Sequence, residues 1–141
     1  MPYLHSTPRP DTADWNTREW WALVKEHKFT VQRCAACGTY RHPPNPVCYK
    51  CRSFEYAWPP VSGRGKVFSY TVITHPTNQL YKEQVPYNVA LIELPDAGGV
   101  RMVGNIVDCP NDRIRVGMPV QMFFEDHPDG LTLPQWRPLP G

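Results

Sequence analysis

The 141-residue chain lacks any apolar run near the ~20 residues of a membrane-spanning helix. Its opening, Met1-Pro-Tyr-Leu-His5, lacks the basic-then-apolar order of a secretory leader, which sets the expectation of a reducing cytoplasm and no membrane. No Ser/His/Asp order, no H-E-x-x-H and no G-x-x-x-x-G-K phosphate loop is present. The five histidines (His5, His27, His42, His75, His127) are dispersed, so each is expected on the surface or in a loop, with His75 at the mouth of a long loop the least ordinary. A basic run is also missing. The formal charge is only +2, which counts against a dedicated nucleic-acid binder, although an aromatic barrel face with Phe68, Tyr70 or Phe123 keeps a single-strand-binding alternative open. There are no internal repeats.

What the sequence does have is Cys34-Ala-Ala-Cys37-Gly38 and its echo Cys48-Tyr-Lys-Cys51. Two C-x-x-C knuckles let four thiolates meet one ion, and the short gap between them suits the hairpin of a zinc ribbon. Gly38 relieves the first tight turn. Four cysteines fill a tetrahedral sphere, so one Zn²⁺ is expected in a structural role with no open position for water or substrate. A ribbon of about thirty residues cannot bury enough apolar surface to fold alone, so metal binding becomes folding free energy. Cys109 is left over in a turn and reads as an inert small residue.

The seventeen prolines gather in the N-terminal segment, the ribbon hairpin and Pro134-Gln-Trp-Arg-Pro-Leu-Pro140. Residues 1–15 read as an extended arm, and the C-terminal proline tail as a segment that wanders or lies extended on another surface. Asn16 or Thr17 can cap a helix, with Glu19 placed as in a capping box, and Trp20, Trp21, Leu23, Val24 and His27 follow at helical spacing. Trp15, Trp20 and Trp21 crowd more tryptophan into seven positions than a small core needs, which makes them candidates for a partner interface. Phe29–Arg33 and Phe54–Trp58 alternate as the strands of the ribbon.

The rest reads as β. Expected strands are Gly65–Thr74, Tyr87–Leu94, Val100–Val107, Met118–Glu125 and Leu131–Trp136, with the loop His75–Pro86 long enough to be functional or mobile. The fold class is therefore α+β, mainly β: arm and helix over 1–30, zinc ribbon over 31–58, and a five-stranded OB-type barrel with a proline-rich tail over 59–141, the alternative being an open sandwich. Ser62-Gly-Arg-Gly65 reads as a turn entering the first barrel strand rather than a phosphate cradle.

The series Arg41-His-Pro-Pro-Asn-Pro-Val-Cys48, Trp58-Pro-Pro-Val-Ser-Gly-Arg-Gly-Lys-Val-Phe-Ser-Tyr-Thr-Val72, Val85-Pro-Tyr-Asn-Val-Ala-Leu-Ile-Glu93, Gly104-Asn-Ile106 and Val116-Gly-Met-Pro-Val120 resembles one known family. This is the acyl-CoA-associated family with a rubredoxin-like zinc ribbon and an OB-fold, long labelled a domain of unknown function. The resemblance implies a non-catalytic accessory subunit for a thiolase-fold enzyme, whether thiolase, acyltransferase, hydroxymethylglutaryl-CoA synthase or steroid side-chain aldolase, and in some relatives a hot-dog hydratase, here a separate polypeptide. It also implies coenzyme A or acyl-CoA as ligand. The phosphates of such a ligand need basic side chains, for which Arg33, Arg41, Arg64, Lys66, Lys82 and Arg101 are the candidates.

Overall fold

The computed structural model describes residues 2–5 and 8–140. Met1, Ser6 and Thr7 of the expected arm and Gly141 of the expected tail lie outside the described residues. One helix, α1 (Arg18–Lys25), precedes a three-stranded antiparallel ribbon of β1 (Gln32–Cys34), β2 (Tyr40–Arg41) and β3 (Tyr56–Ala57), in the order β2-β1-β3. A five-stranded antiparallel sheet follows: β4 (Arg64–Ile73), β5 (Tyr87–Leu94), β6 (Val100–Gly104), β7 (Pro119–Asp126) and β8 (Thr132–Pro138), in the order β6-β5-β4-β7-β8. A parallel bridge between Ile106 and Trp136 brings the two ends of that order together and curls the sheet into a barrel.

The capping box expected at Asn16/Thr17 does not form. Asp14 does that work: its carbonyl accepts from Thr17 N and Arg18 N, and its Oδ2 accepts from Asn16 N and Thr17 Oγ1. Glu19 is thereby released to accept from the Tyr56 hydroxyl (2.9 Å) and Trp58 Nε1 (3.0 Å), tying the helix to the ribbon's return strand. At eight residues the helix is two turns, too short to persist without packing.

One apolar core runs through ribbon, helix and barrel. Trp20, Val24, Phe29 and Val31 share it with Val67, Ile92, Leu94, Met102, Ile114, Val120 and Trp136. The β5 alternation is strict, with Asn88, Ala90, Ile92 and Leu94 buried between half-buried neighbours, as a half-solvated antiparallel strand requires. Gly65 sits where a Cβ would meet Ile92 Cγ2 at 2.5 Å and the Glu93 carbonyl at 2.9 Å, so the Gly there is set by close approach of β5.

Three sequence expectations are corrected. The strand from Val100 ends at Gly104, because Asn105 and Ile106 leave the ladder to bond Trp136 and Asn88. Within Phe29–Arg33, Thr30 makes only an isolated bridge to Pro60, and the ladder begins at Gln32. The last strand, expected over Leu131–Trp136, runs from Thr132 to Pro138 as β8, and Trp136 within it is fully buried. Prolines are tolerated there because β8 has a free edge.

Candidate functional site

In each knuckle the residue after the second cysteine takes a left-handed conformation, Gly38 at φ 79° and Arg52 at φ 65°. That turn lets Gly38 N donate to the Cys34 carbonyl and Arg52 N to the Cys48 carbonyl, both at 2.9 Å, folding each C-x-x-C back on itself. The ribbon then brings the knuckles face to face. All four sulfurs lie within 4.8 Å of one another, with Cys34–Cys51 at 3.5 Å and Cys37–Cys48 at 3.7 Å. Zn–S bonds of about 2.3 Å in a tetrahedron give sulfur–sulfur edges of about 3.8 Å, so the set fits zinc.

The electrostatics agree. The Cys37 N–H pointing at Cys34, the Thr39 hydroxyl at Cys37 and the Cys51 N–H at Cys48 each lower the thiol they face. Cys51 behaves oppositely. The Ser53 N–H favours its thiolate, but the Cys34 sulfur, burial and the sulfurs of Cys37 and Cys48 outweigh it and push it up to about 12. Four thiolates at this spacing require a cation among them. Cys34 and Cys48 are buried and Cys37 and Cys51 exposed, and four protein ligands complete a tetrahedral shell, so the metal's role is structural.

The six basic candidates do not form one cluster. Arg33 donates to the Gly38 carbonyl over the Tyr40 ring. Arg41 is buried, donates to the Asn45 carbonyl and stacks over Tyr56. Arg64 is exposed on β4, and Lys82 on the His75–Pro86 loop. Only Lys66 and Arg101 meet, sharing Glu93 at 3.5 and 3.8 Å across β4, β5 and β6. The Ser62–Gly65 turn is not an anion cradle: Ser62 N already donates to Asp96 Oδ2.

Two clefts open beside these groups. One, of about 900 Å³, lies against the ribbon hairpin between Arg41, His42, Tyr49, Arg52 and Phe54. The other, of about 560 Å³ and largely apolar, runs along the seam between β6 and β8 and is lined by Trp20, Trp21, Leu91, Arg101, Val103 and Pro134. Of the tryptophans, Trp15 is 72% exposed and Trp21 half-buried, whereas Trp20 is a core residue at 5% that donates Nε1 to the Thr30 carbonyl. Trp20 therefore offers no face to a partner in this conformation.

All five histidines lie outside helices and strands, but two of them are turned inward. His127 is buried, with Nε2 2.8 Å from Glu125 Oε1. His42 is held against Trp20, and burial depresses it to about 4. Sequence reading also missed a polar chain threading the barrel. Glu125 meets Gln135, Gln135 interlocks with Asn105, and Asn105 donates to the carbonyl of Asn88. Asn88 Oδ1 accepts from Ile106 N at 2.7 Å, while its Nδ2 faces the Ile106 carbonyl, the Tyr3 hydroxyl and Asn111 Oδ1. The N-terminal arm thus closes on the barrel through Tyr3, whose N donates to Glu125 Oε2. Farther along the arm, His5 bonds Gln84 and the Leu80 carbonyl of the long loop.

Comparison with known proteins bears on this arrangement. Residues 21–57 match the model of the ChsH2 rubredoxin-like zinc ribbon domain, and residues 58–125 that of the ChsH2 C-terminal OB-fold domain. A "Probable enoyl-CoA hydratase alpha subunit" of Thermomonospora curvata is 42% identical over 84% of this chain, but the match spans only 36% of that protein. A "DUF35 domain-containing scaffold protein" of Methanocaldococcus jannaschii is 38% identical over 79% of this chain and 81% of that one. Among solved structures, a chain of the "Ltp2-ChsH2(DUF35) aldolase" superposes with a TM-score of 0.82 at 40% identity, over 92% of this chain and 98% of that chain. With its four-sulfur centre, ribbon and curled five-stranded sheet, the chain belongs to the ChsH2/DUF35 family of zinc-ribbon and OB-fold proteins.

Proposed function

We propose that this chain is a non-catalytic subunit that binds a thiolase-fold enzyme, such as a thiolase, acyltransferase or aldolase, and supports its work on an acyl-CoA. The observation that carries the reading is the 40% identity and near-complete coverage of the ChsH2 chain in an aldolase assembly. The closed four-sulfur site supports it, since a filled metal shell leaves nothing for a substrate to bind. The matched part makes up 36% and 38% of the two relatives named as hydratase alpha subunits.

In this reading Trp15 and the exposed part of Trp21 contribute to the enzyme contact, and Trp20 is left to the core. Lys66 and Arg101, which meet at Glu93, are the basic pair placed to receive a phosphate, and the apolar seam beside Arg101 offers room for an acyl chain. Holding a long flexible thioester against a rigid barrel lowers the entropic cost of reaching the reactive geometry in the partner. The nucleic-acid alternative gains nothing from the geometry, because the Phe68 and Phe123 rings are each covered on one side by an arginine, Arg101 at 3.6 Å and Arg137 at 3.9 Å.

The test is to assay a co-purifying thiolase-fold enzyme on its acyl-CoA with and without this chain. The expected result is lower activity or solubility without it, with the enzyme's own nucleophile and base unchanged. Full activity of the enzyme alone would refute the proposal.

A further inference from the structure

Strand β4 is central in the sheet, yet only its first part has neighbours on both sides. Arg64, Gly65 and Lys66 pair with β7, and Val67 bonds Gly117 and Met118. Beyond a bulge at Phe68 the strand pairs with β5 alone, from Ser69 to Ile73. Among the described residues, no backbone bond reaches this stretch from the other side. Phe68 is 41% and Tyr70 36% exposed, and Ser69 and Thr71 are exposed as well.

The composition of that edge is unusual for a strand left open. Folded proteins protect free edges with charge, proline or glycine bulges. The edge strand β8 does so with Pro134, Arg137 and Pro138, and the paired half of β4 carries Arg64 and Lys66. Phe68-Ser-Tyr-Thr-Val-Ile73 has no charge, no proline and no glycine, and it is aromatic and β-branched throughout except at Ser69. Unguarded edges of this composition pair with another strand.

We propose that this edge joins a second copy of the same chain, the two β4 strands pairing antiparallel about a two-fold axis through Thr71 to give one continuous sheet across both barrels. The argument for a second copy over a foreign strand is self-complementarity, which a two-fold interface demands. Turned on itself about Thr71, the segment sets Thr71 against its own copy, Tyr70 against Val72, Ser69 against Ile73 and Phe68 against Thr74, each pair on one face of the sheet. Aromatic residues then face β-branched ones, the favourable cross-strand combination, and no like charges are opposed. Lys66, the nearest cation, falls opposite Pro76 rather than its own copy. None of residues 69–73 lines the four-sulfur centre or the apolar seam.

Sedimentation equilibrium on the purified zinc-loaded chain, up to about 100 μM where even a micromolar dimer is populated, reads this out. The wild type is expected to dimerise. Thr71→Glu and Thr71→Lys should each weaken association at least tenfold, by placing like charges across the axis, while an equimolar mixture of the two re-forms the dimer. Hydrogen exchange on the unaltered chain gives a second reading that no folding defect can confound: amides within 69–73 should gain protection as concentration rises. A wild type monomeric at the highest concentration, dimers unaffected by both substitutions, or no concentration-dependent protection would each overturn the proposal.

Discussion

Replacing Asn88 with leucine removes a side chain that joins barrel, closing turn and N-terminal arm. Asn88 is fully buried, as is Ile106, whose N–H and C=O it satisfies at 2.7 and 2.8 Å. Leucine is close in volume, so the cavity contribution is small and the loss is one of hydrogen bonding. Leaving two buried backbone groups unpaired costs about 1–3 kcal/mol each, so about 2–6 kcal/mol together. That is a large part of the roughly 5–15 kcal/mol that stabilises a domain, and at about 3–5 °C per kcal/mol for this length it lowers Tm by about 6–30 °C. Tyr3→Phe is the control. It removes only the hydroxyl that meets Asn88 N and Nδ2, at the half-buried end of the network, and should cost about 1 kcal/mol. Both are measured by urea unfolding with zinc in excess, so that metal loss does not enter. An Asn88→Leu protein within about 1 kcal/mol of wild type, at unchanged m-value, would refute the reasoning.

The metal, a knuckle, a buried imidazole and the tryptophans give further tests. Replacing Cys48 with serine should release one zinc per chain by elemental analysis and unfold the ribbon, since structural zinc contributes about 10–16 kcal/mol of apparent binding free energy. Arg52→Gly should stabilise by about 0.5–1 kcal/mol in the same unfolding assay, because Arg52 holds the φ of 65° that Gly38 holds in the first knuckle without a Cβ. His42 is depressed from 6.5 to about 4 by burial, so it is neutral in the fold and the unfolded chain takes the proton first. The stability that its neutral form contributes is present above pH 6.5 and lost as pH falls toward 4, by about 3 kcal/mol, and the difference between wild type and His42→Phe should reproduce that loss while zinc release affects both alike. Trp20→Ala should cost about 3–5 kcal/mol of stability. Trp15→Ala should leave stability within about 0.5 kcal/mol and weaken the enzyme complex, which calorimetry against the purified partner would show.

The parts of this fold legible in the sequence are those written in short-range pattern. Cysteine spacing identifies the ribbon whatever surrounds it, and the alternation of Tyr87–Leu94 marks β5 to the residue. What stayed hidden depends on partners distant in the chain. A last strand to Trp136 was legible, but its continuation to Pro138 and the burial of Trp136 follow from the free side of β7 and the bridge to Ile106. Glu19 fits a capping box by spacing, yet the Tyr56 hydroxyl and Trp58 indole, 37 and 39 residues away, hold it more favourably once the ribbon folds. Asn88, Asn105 and Gln135 are ordinary polar residues in isolation, and Glu125 and His127 would ordinarily be solvent-facing. Their burial follows from barrel closure, which brings strands distant in sequence side by side and gives each group a partner. The candidate cations divided for the same reason: Lys66 and Arg101 each stand directly opposite Glu93 of β5, from the strands on its two sides.

The continuity of the core bears directly on what the zinc is for. Phe29 and Val31 lie immediately before the first knuckle, and they pack with Trp20 and Val24 of the helix on one side and Trp136 of the barrel on the other. Fixing the ribbon therefore fixes the wall of the seam in which Trp20, Trp21 and Arg101 meet. A helix of eight residues and a ribbon of two- and three-residue strands have little stability of their own, so the metal's binding energy is spread through this shared core rather than kept at the sulfurs. Zinc removal should accordingly loosen the seam as well as the knuckles. In hydrogen exchange, protection should fall at Thr30–Gln32 and along α1 on chelation, while Ala90–Leu94 in the barrel interior stays protected. Equal loss of protection everywhere would mean that ribbon and barrel fold as one cooperative unit, and no loss outside the knuckles would mean that the zinc holds only its own turns.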